Sequence, residues 1–380
     1  MQKQRRHSRI PALLKLIGAI FSAMVAVVYL ASAYGGMADP VTSAKLSVLG
    51  LAYPIALGVI VLLMVVWLCM RLWQLALIPL LAIIASWGPL TTFSPLNFAG
   101  NDIAEADSTR TFRVLTYNVM NFTDNTGVRH TPNRTIQYIL DCDADLVCLQ
   151  EAAQEHNFDK VEYVSEMLEV IREKYPYYHN YRSDVVLLSK YPIVSEVDSV
   201  YFDNHIRSVG WDVAMPGDTV RVYSCHLESI GLTQTDKHLY RQLTKLQNMS
   251  STSDLDEVRG TLVTKLARAY RCRSLQARLL RDLIEATDRP VILCGDFNDT
   301  PGSFAYRTIM GDDMRDAYAE CALGPTITYH CNRFYFRIDH ILYRGNFDAV
   351  KIERGTLSAS DHYPLVATFK WAADGDDTNE

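Results

Sequence analysis

The stretch VILCGDFND, residues 291–299, carries the pattern on which the fold prediction depends. The apolar run Val291–Cys294 is too short for a helix and has the length of a strand buried on both faces. Gly295 permits a tight turn after it, and Asp296 and Asn298 then stand two residues apart, so both can project from one loop. We interpret the pair as a carboxylate and an amide that activate and position a water. The alternative is a turn that is merely rich in Asp and Asn.

Polar side chains end or begin other short apolar runs in the same way. Asn118 follows VLTY, Glu151 follows DLVCLQ and His226 follows TVRVYSC, whereas Asp361 and His362 precede YPLVATF. A carboxylate at a strand end is a usual Mg²⁺ ligand, because hard cations take oxygen ligands. A protonated histidine can donate to a phosphoryl oxygen. Taken singly, Glu151 is more simply interpreted as a solvated acid at a strand end, and Asn118 as a turn-forming residue. The recurrence of polar residues at the ends of apolar runs favours one shared site.

Asp339 lies inside the apolar strand RIDHIL, where an unpaired acid is costly. We expect it to pair with His362, to hold that imidazole in one tautomer and to favour its protonated form. His340 points to the opposite face by strand alternation and is assigned a structural role. Arg207 is a candidate phosphate-binding residue, with a surface arginine as the equal alternative.

Charge is unevenly distributed along the 380 residues. The formal net charge is −6, and residues 1–99 hold seven Lys or Arg and one acid, which leaves 30 basic and 42 acidic residues in 100–380. The larger part therefore lacks the basic excess of a nucleic-acid binder. Bound divalent cations would cancel part of this negative field, so a nuclease is disfavoured and not excluded. Eight cysteines without a CxxC pair predict no disulfide framework, and Cys321 with Cys331 is the first pair to test.

The N-terminal quarter contains three apolar stretches, each near the roughly 20 residues that cross a bilayer core. They are residues 12–34, 46–70 and 72–92. The basic leader MQKQRRHSR and Arg71 are cytoplasmic signals, so three spans place everything after residue 100 outside the cytoplasm. If the second and third stretches formed one kinked helix, that part would face the cytoplasm. We predict multi-pass anchoring in a bacterial-type inner or plasma membrane; buried helices of a soluble domain are the alternative.

The rest of the chain alternates short apolar strands with helical stretches, which predicts a mixed α/β fold of two stacked sheets with helices outside. The predicted strands are 112–118, 145–150, 184–189, 219–225, 291–295, 337–343 and 363–369, and the predicted helices are 133–141, 158–174 and about 262–287. The predicted domains are a membrane anchor at 1–99, a linker at 100–111, a catalytic domain at 112–371 and an acidic disordered tail at 372–380. We interpret 232–260 as an insertion or mobile loop, and 91–111 as a polar tether.

Seven motifs follow one another in a specific order. They are VLTYNVMNF (114–122), LVCLQEA (146–152), VVLLSKYPI (185–193), VYSCHLES (222–229), GDFNDTPGS (295–303), RIDHILY (337–343) and SASDHYPL (358–365). In this order they resemble the endonuclease/exonuclease/phosphatase superfamily, the deoxyribonuclease I-like proteins, over about residues 112–370. The resemblance implies a four-layer α/β sandwich of two mixed β-sheets flanked by helices, here preceded by transmembrane helices.

The resemblance also implies a metal site and a mechanism. Glu151 would be the main metal ligand, Asp361 would complete the metal shell, and Asn118 would lie near metal and phosphate. The cofactor would be Mg²⁺, with Mn²⁺ as an alternative. The metal-dependent reaction would be in-line attack of an activated water on a phosphodiester or phosphomonoester, without a covalent intermediate.

Five further residues take roles by the same resemblance. Asp296 would align the attacking water, and Asn298 would bind the phosphate. His226 and His362 would contact phosphoryl oxygens, with Asp339 supporting His362. The tyrosine that some nuclease members place against the phosphate has no secure counterpart, Tyr181 being the one candidate.

The substrate stays open at this level. The favoured hypothesis is a membrane-anchored phosphodiesterase or phosphatase that acts on a lipid headgroup or small phosphoester. An extracytoplasmic nuclease of the same fold is the first alternative, although no basic, aromatic insertion for gripping a duplex is visible. A non-catalytic, membrane-tethered binding module is the second, and the full set of polar residues argues against it. Nothing in the sequence indicates the oligomeric state.

Overall fold

The computed structural model describes residues 12–98, 110–153, 157–179, 183–203, 205–231, 252–331 and 334–372, with the backbone alone for 252–261. The chain divides into two compact units, with the boundary between Thr91 and Thr92. This boundary precedes the predicted domain limit at residue 99. Most of the predicted linker and acidic tail lies outside the described residues.

The first unit is helical. Its helices are α1 (Ala12–Gly35), α2 (Pro40–Leu49), α3 (Tyr53–Cys69), α4 (Trp73–Ala85) and α5 (Trp87–Phe93), the last of which crosses the unit boundary. Within the described residues, two segments are long and apolar enough to cross a membrane, Ala12–Gly35 and Pro40–Cys69. Helices α4 and α5 are bent by 70° and count as a third only if they form one span. The predicted third span therefore stays a prediction.

Polar side chains of the first unit point inward and large apolar ones point outward. The Tyr29 hydroxyl and Ser86 Oγ lie 2.6 Å apart, and Trp67 Nε1 donates to Ser22 Oγ at 2.9 Å. Outward-facing side chains include Ile55, which is 72% exposed. Exposed apolar surface on every helix is costly in water and favourable in lipid, where interhelical contacts are made by small and polar side chains. This distribution indicates association with a membrane.

The second unit contains twelve strands in its described residues. They are β1 (Thr111–Asn118), β2 (Leu146–Gln150), β3 (Tyr177–His179), β4 (Val186–Ser189), β5 (Ile193–Phe202), β6 (His205–Ala214), β7 (Thr219–His226), β8 (Val291–Asp296), β9 (Arg315–Asp316), β10 (Asp339–Arg344), β11 (Phe347–Arg354) and β12 (Leu365–Trp371). They form two six-stranded sheets, of order β11-β12-β1-β2-β4-β3 and β5-β6-β7-β8-β10-β9. Each sheet contains one parallel pair, β1–β2 in the first and β7–β8 in the second, so both sheets are mixed.

Helices cover the outer faces of both sheets, which completes the predicted four-layer sandwich. Their bounds are α6 (Arg134–Cys142), α7 (Glu162–Lys174), α8 (Thr252–Glu285), α9 (Phe304–Met310) and α10 (Ala317–Cys321). One core cluster lies between the sheets, a second packs α6 and α7 on the first sheet, and a third packs α8 and α9 on the second. The mixed, four-layer α/β fold class is confirmed.

Three predictions about segments need correction. Helix α8 begins at Thr252, so part of the predicted loop 232–260 is helical, and residues 232–251 lie outside the described ones. The predicted polar tether at 91–111 is partly ordered, because Asn97 Nδ2 donates to the Ala319 and Ala322 carbonyls at 3.0 and 2.9 Å. Strands β5 and β6 were not predicted, although β6 is largely buried. All eight cysteines lie in the described residues and none of them forms a disulfide, Cys321 and Cys331 included.

A buried ion pair ties helix α8 to the loop after β8. Arg273 Nε donates to Asp299 Oδ2 at 3.0 Å, and both side chains are 1% exposed. Arg273 also donates to the Glu228 carbonyl at 3.0 Å and lies over the Tyr270 ring. Because Asp299 directly follows Asn298, the ion pair between Arg273 and Asp299 fixes the end of the GDFND loop against helix α8.

Arg273→Met should destabilise the second unit strongly, because it leaves the Asp299 carboxylate buried without its cation. We expect the free energy of unfolding to fall by about 3–5 kcal/mol. The measurement is chemical denaturation of the full chain in detergent. As a control, Arg129→Met removes an exposed partner of Glu162 and should leave the midpoint almost unchanged. Equal losses in both variants would contradict the importance of the buried pair.

Candidate active site

The polar ends of the strands meet at one edge of the two sheets. In the parallel pair β1–β2, Asn118 is in register with Gln150, the residue before Glu151. In the parallel pair β7–β8, His226 is in register with Asp296. Strand β10 runs antiparallel to β8 and begins opposite Asp296. The ends of β1, β2, β7 and β8 and the start of β10 therefore converge, as the recurrence of polar strand ends predicted.

Asn118 connects the two sheets at this edge. Its side chain is buried, and Nδ2 lies 3.1 Å from both Glu151 Oε1 and Asp296 Oδ2. Glu151 belongs to the end of the first sheet and Asp296 to the second. One amide group thus donates to two carboxylates, which fixes their separation and reduces the repulsion between them.

His362 is held by Asp339, as predicted. Its Nδ1 lies 2.9 Å from Asp339 Oδ2, and the opposite ring atom, Nε2, lies 3.6 Å from Asp296 Oδ2. Burial lowers the pKa of His362, but Asp339 and Asp296 outweigh it, so the pKa stands at about 10. The imidazole is therefore protonated at neutral pH, with Nδ1 donating to Asp339 and Nε2 directed into the site.

His226 has an equivalent arrangement with a partner that the sequence reasoning missed. Its Nδ1 lies 2.7 Å from Asp184 Oδ2, and its Nε2 lies 3.9 Å from both Asp296 Oδ2 and Glu151 Oε1. Burial lowers its pKa, but Asp184 in particular raises it to about 9. Asp184 was counted only as the start of a strand. The signal was its place just before an apolar run antiparallel to β2, which brings it to the edge where β2 ends.

The loop after β8 sets the positions of Asp296 and Asn298. Gly295 has φ +144°, and a Cβ there would lie 2.0 Å from the Cys225 carbonyl oxygen, so only glycine fits. Asp296 Oδ1 accepts the Asn298 amide hydrogen at 2.8 Å, and Asn298 Nδ2 donates to the Leu227 carbonyl at 3.0 Å. Burial raises the pKa of Asp296 to about 6, against the opposing pull of His362. This carboxyl can exchange a proton near neutral pH.

Asp361 is tied to the end of β1 through its neighbour. Ser360 Oγ donates to the Asn118 carbonyl at 2.7 Å and lies 3.4 Å from Asp361 Oδ1. Ser360 Oγ also accepts the His362 amide at 3.2 Å. The SASDH segment is thereby attached to the same edge as Glu151.

Other candidates have different surroundings. Arg207 donates to Glu228 Oε2 at 2.5 Å, so its guanidinium already has an anionic partner. His340 is buried, with Nε2 3.0 Å from the Asp299 carbonyl and a pKa lowered by burial to about 4, which agrees with a structural role. Tyr181 lies outside the described residues.

The donor set fits a divalent cation. Asp339 Oδ1 is buried without a hydrogen-bond partner in the described part of the chain, and Glu151, Asp296 and Asp339 bring three carboxylates to one edge. Unpaired buried carboxylate oxygens are costly unless a cation or a proton compensates them. The chemistry of the set, oxygen ligands with little sulfur or neutral imidazole, matches Mg²⁺ and Mn²⁺.

Two ligand sets are available around these carboxylates. Among the described residues, Asp296, Asp339 and His362 form the group whose ligand atoms all lie within 4.8 Å of one another. His362 Nδ1 already bonds Asp339 Oδ2 at 2.9 Å, so Nε2 is the ring atom that is left for a ligand. Glu151, whose side chain is 34% exposed, offers a carboxylate that is accessible from solvent. Glu151 is therefore a second candidate ligand for the cation, and its partnership with Asp361 stays a prediction.

Gln150 joins the two sheets next to the site. Its buried Nε2 lies 3.1 Å from Ser224 Oγ in the other sheet, 3.2 Å from the Cys148 carbonyl and 3.3 Å from Thr116 Oγ1. Because Gln150 is in register with Asn118 and directly precedes Glu151, these contacts fix the spacing of the sheets where the site residues begin.

Sequence comparison identifies two families along the chain. The model of the endonuclease/exonuclease/phosphatase family matches residues 115–362, about two thirds of the chain. A domain family of unknown function, DUF8431, matches residues 14–93, the helical first unit. A comparison with curated proteins found no match.

Solved structures with a similar fold come from several organisms. An endonuclease/exonuclease/phosphatase from Beutenbergia cavernae is 18% identical, covers 70% of this chain and 72% of its own, and has a TM-score of 0.47. One from Bacteroides vulgatus is 20% identical, covers 69% and 99%, and has a TM-score of 0.45. Humanized D. rerio TDP2 is 15% identical, covers 69% and 99%, and has a TM-score of 0.46. The assignment to a family rests on the sequence match over residues 115–362.

Asp184→Asn should change the titration of His226. Without the carboxylate, the pKa of His226 should fall from about 9 towards its ordinary value of 6.5. A raised histidine pKa contributes stability that is complete below pH 6.5 and is lost as the pH rises through about 9. The stability advantage of the unaltered chain over the variant should therefore be largest near pH 6.5 and disappear above about pH 9, as measured by unfolding midpoints across pH.

The control for this prediction is Asp198→Asn, which removes an exposed carboxylate from β5. It should leave the pH dependence unchanged. A difference between Asp184→Asn and the unaltered chain that is the same at every pH would contradict the pairing of Asp184 with a protonated His226.

Proposed function

The chain belongs to the endonuclease/exonuclease/phosphatase family, and we propose on that basis that its second unit is a divalent-metal-dependent phosphodiesterase or phosphatase. The second unit is a phosphoester hydrolase of this family, whose enzymes generally use a divalent metal. The finer proposal concerns Mg²⁺, the roles of the individual residues and the substrate.

One observation carries the mechanism. The Nε2 atoms of His226 and His362 lie 3.9 and 3.6 Å from the same oxygen, Asp296 Oδ2. Each imidazole is protonated because its Nδ1 faces an aspartate, Asp184 or Asp339. Two N–H donors with positive charge therefore converge beside a carboxyl group that titrates near neutral pH. This is the arrangement that a phosphoryl group and an attacking water require.

The residues of the chain divide the work as follows. Asp296 accepts a proton from the attacking water and orients the water oxygen toward phosphorus. Asn298 binds the phosphoryl group. His226 and His362 donate from Nε2 to the non-bridging oxygens, on which negative charge grows in the transition state. Asp339 and Asp184 keep these imidazoles protonated and oriented.

Glu151 and Asp361 would hold the cation, with Asn118 orienting the Glu151 carboxylate. When bound, Mg²⁺ would neutralise charge on the phosphoryl and leaving oxygens. Mn²⁺ fits the same oxygen ligands. Arg207 remains a candidate for a phosphate contact. Its guanidinium would then donate to the substrate phosphate as well as to Glu228.

The favoured substrate is a lipid headgroup or a small phosphoester. The support is the membrane-type first unit and the acidic character of residues 100–380, which hold 30 basic and 42 acidic residues. A nuclease is the alternative within the same chemistry, and the acidic surface disfavours a polyanionic partner. The oligomeric state is not part of this proposal.

Asp296→Asn should reduce hydrolysis of bis-p-nitrophenyl phosphate by about 10²–10⁴-fold, because it removes the group that accepts the proton. Glu151→Gln should instead raise the Mg²⁺ concentration needed for half-maximal activity. Both are measured on the full chain in detergent, after treatment with a chelator and titration with Mg²⁺.

The matched control is Glu169→Gln, an exposed acid on α7 that should leave both quantities unchanged. Unaltered turnover in Asp296→Ala or Asp296→Asn, or full activity in a chelator, would contradict the proposed mechanism.

We also propose that the protein is a multi-pass protein of a bacterial-type inner or plasma membrane, with the second unit outside the cytoplasm. The support is the basic leader and Arg71, which are cytoplasmic signals, together with the three apolar stretches 12–34, 46–70 and 72–92, the last of which follows Arg71.

A fusion of alkaline phosphatase after Glu105 tests this orientation, because the reporter is active only outside the cytoplasm. We expect high reporter activity in cells. A well-expressed but inactive fusion would show that an even number of spans precedes residue 105 and that the second unit faces the cytoplasm.

A further inference from the structure

Two segments of the second unit expose large apolar side chains. One is the segment 94–98, just after α5, and the other comprises residues 322–331 and 334–336, between α10 and β10. We call their exposed side chains the apolar rim, which consists of Leu96, Phe98, Leu323, Ile327 and Tyr335. Phe98 is 79% exposed and Leu323 58%. Such side chains are costly in water when they occur together, and they mark a surface that contacts an apolar partner.

Backbone contacts hold the two segments together. Leu96 and Leu323 form an isolated antiparallel bridge, and Gly324 N donates to the Pro95 carbonyl at 2.7 Å. Asn97 Nδ2 reaches the carbonyl of Ala322 at 2.9 Å. Leu96 and Leu323 are therefore neighbours, and Phe98 follows Leu96 by two residues in the chain.

The position along the chain identifies the partner. Helix α5 ends at Phe93, and Leu96 follows three residues later, so the two Cα atoms are at most about 11 Å apart. The chain therefore passes directly from apolar helices of membrane type to the apolar rim. If α4 and α5 together form a span, as the sequence predicts, Leu96 follows that span within a few residues of chain, and Leu323 is its neighbour.

The segment 322–331 also lies beside the candidate active site. Thr328 Oγ1 accepts the Ile338 and Asp339 amides at 2.9 and 3.1 Å. The Tyr329 ring packs edge-on against the imidazole of His362, with centroids 5.0 Å apart. Leu323 and Ile327 precede these residues by only a few positions, so one short segment extends from the apolar rim to the catalytic histidine.

We propose that the apolar rim inserts into the interface of the bilayer that anchors the chain, and that the site takes a phosphoester presented by a lipid of that bilayer. This rests on the proposed function, because it names the substrate class of the same site. A headgroup held at the interface would lie beside the segment 328–330, whereas the acyl chains would stay in the bilayer against Leu323 and Phe98.

Photo-crosslinking tests the contact with lipid independently of catalysis. Leu323 is replaced by p-benzoylphenylalanine in the full chain, which is reconstituted in phosphatidylcholine vesicles, irradiated and analysed by mass spectrometry for lipid adducts. The matched control is the same replacement at Val194, an exposed apolar residue on β5. Strand β5 is the edge strand opposite β9, five interstrand spacings or roughly 24 Å away. We expect adducts at 323 and none above background at 194; no adduct at 323, or equal adducts at both, overturns the inference.

Turnover then separates the inference from the proposed function. Vesicles of phosphatidylcholine, phosphatidylglycerol or sphingomyelin and the soluble ester bis-p-nitrophenyl phosphate are offered to the full chain and to Leu323→Glu. We expect Leu323→Glu to lose vesicle hydrolysis and to keep hydrolysis of the soluble ester. Hydrolysis of the soluble ester without hydrolysis of any vesicle lipid overturns the inference alone. Absence of both activities, or activity that survives Asp296→Ala, overturns the proposed function.

Discussion

The site depends on one shared hydrogen-bond donor. Asn118 Nδ2 lies between Glu151 Oε1 and Asp296 Oδ2, and these carboxylates end strands of different sheets. Without a donor between them, the buried Asp296 carboxylate and the partly exposed Glu151 carboxylate would repel each other across the sheet edges. With it, the proposed metal ligand and the proposed base are fixed relative to each other, and the two histidines take their positions from the same oxygen of Asp296.

The charge of the site explains why His226 and His362 each have an aspartate at Nδ1, the ring nitrogen that points away from Asp296. Burial alone would leave both imidazoles neutral, because it disfavours the charged form. Asp184 behind His226 and Asp339 behind His362 reverse this preference. The two dyads supply positive charge to a site that is otherwise built of carboxylates, and they do so with N–H groups whose direction is set by the ring.

Much of this arrangement could be predicted from the sequence, because each functional residue adjoins a short apolar run. Asn118, Glu151, His226 and Asp296 end strands that run parallel in pairs, and their meeting follows from strand polarity. Asp184 was missed because an acid that starts a strand carries no signal until the antiparallel pairing of that strand is known. The ordered start of α8 was missed because SSTSDLDEVRG is polar, and a helix without a strong apolar stripe resembles a loop.

The limits elsewhere have physical causes as well. Strand β5 alternates weakly and lies at a sheet edge, where exposure on both faces removes the apolar pattern. The number of membrane spans depends on whether a 70° bend interrupts one crossing or separates two short helices. Composition is the same in both cases, so no hydropathy argument distinguishes them.

The convergence of two imidazoles on one oxygen has a kinetic consequence. Their Nε2 atoms lie 3.9 and 3.6 Å from Asp296 Oδ2, so both are directed at the place where the phosphoryl group of the proposed substrate would bind. A released phosphate-containing product carries the same kind of oxygens and would bind the same two imidazoles as the next substrate. Product should therefore compete directly with substrate, and turnover at high conversion would be governed by how quickly the product dissociates.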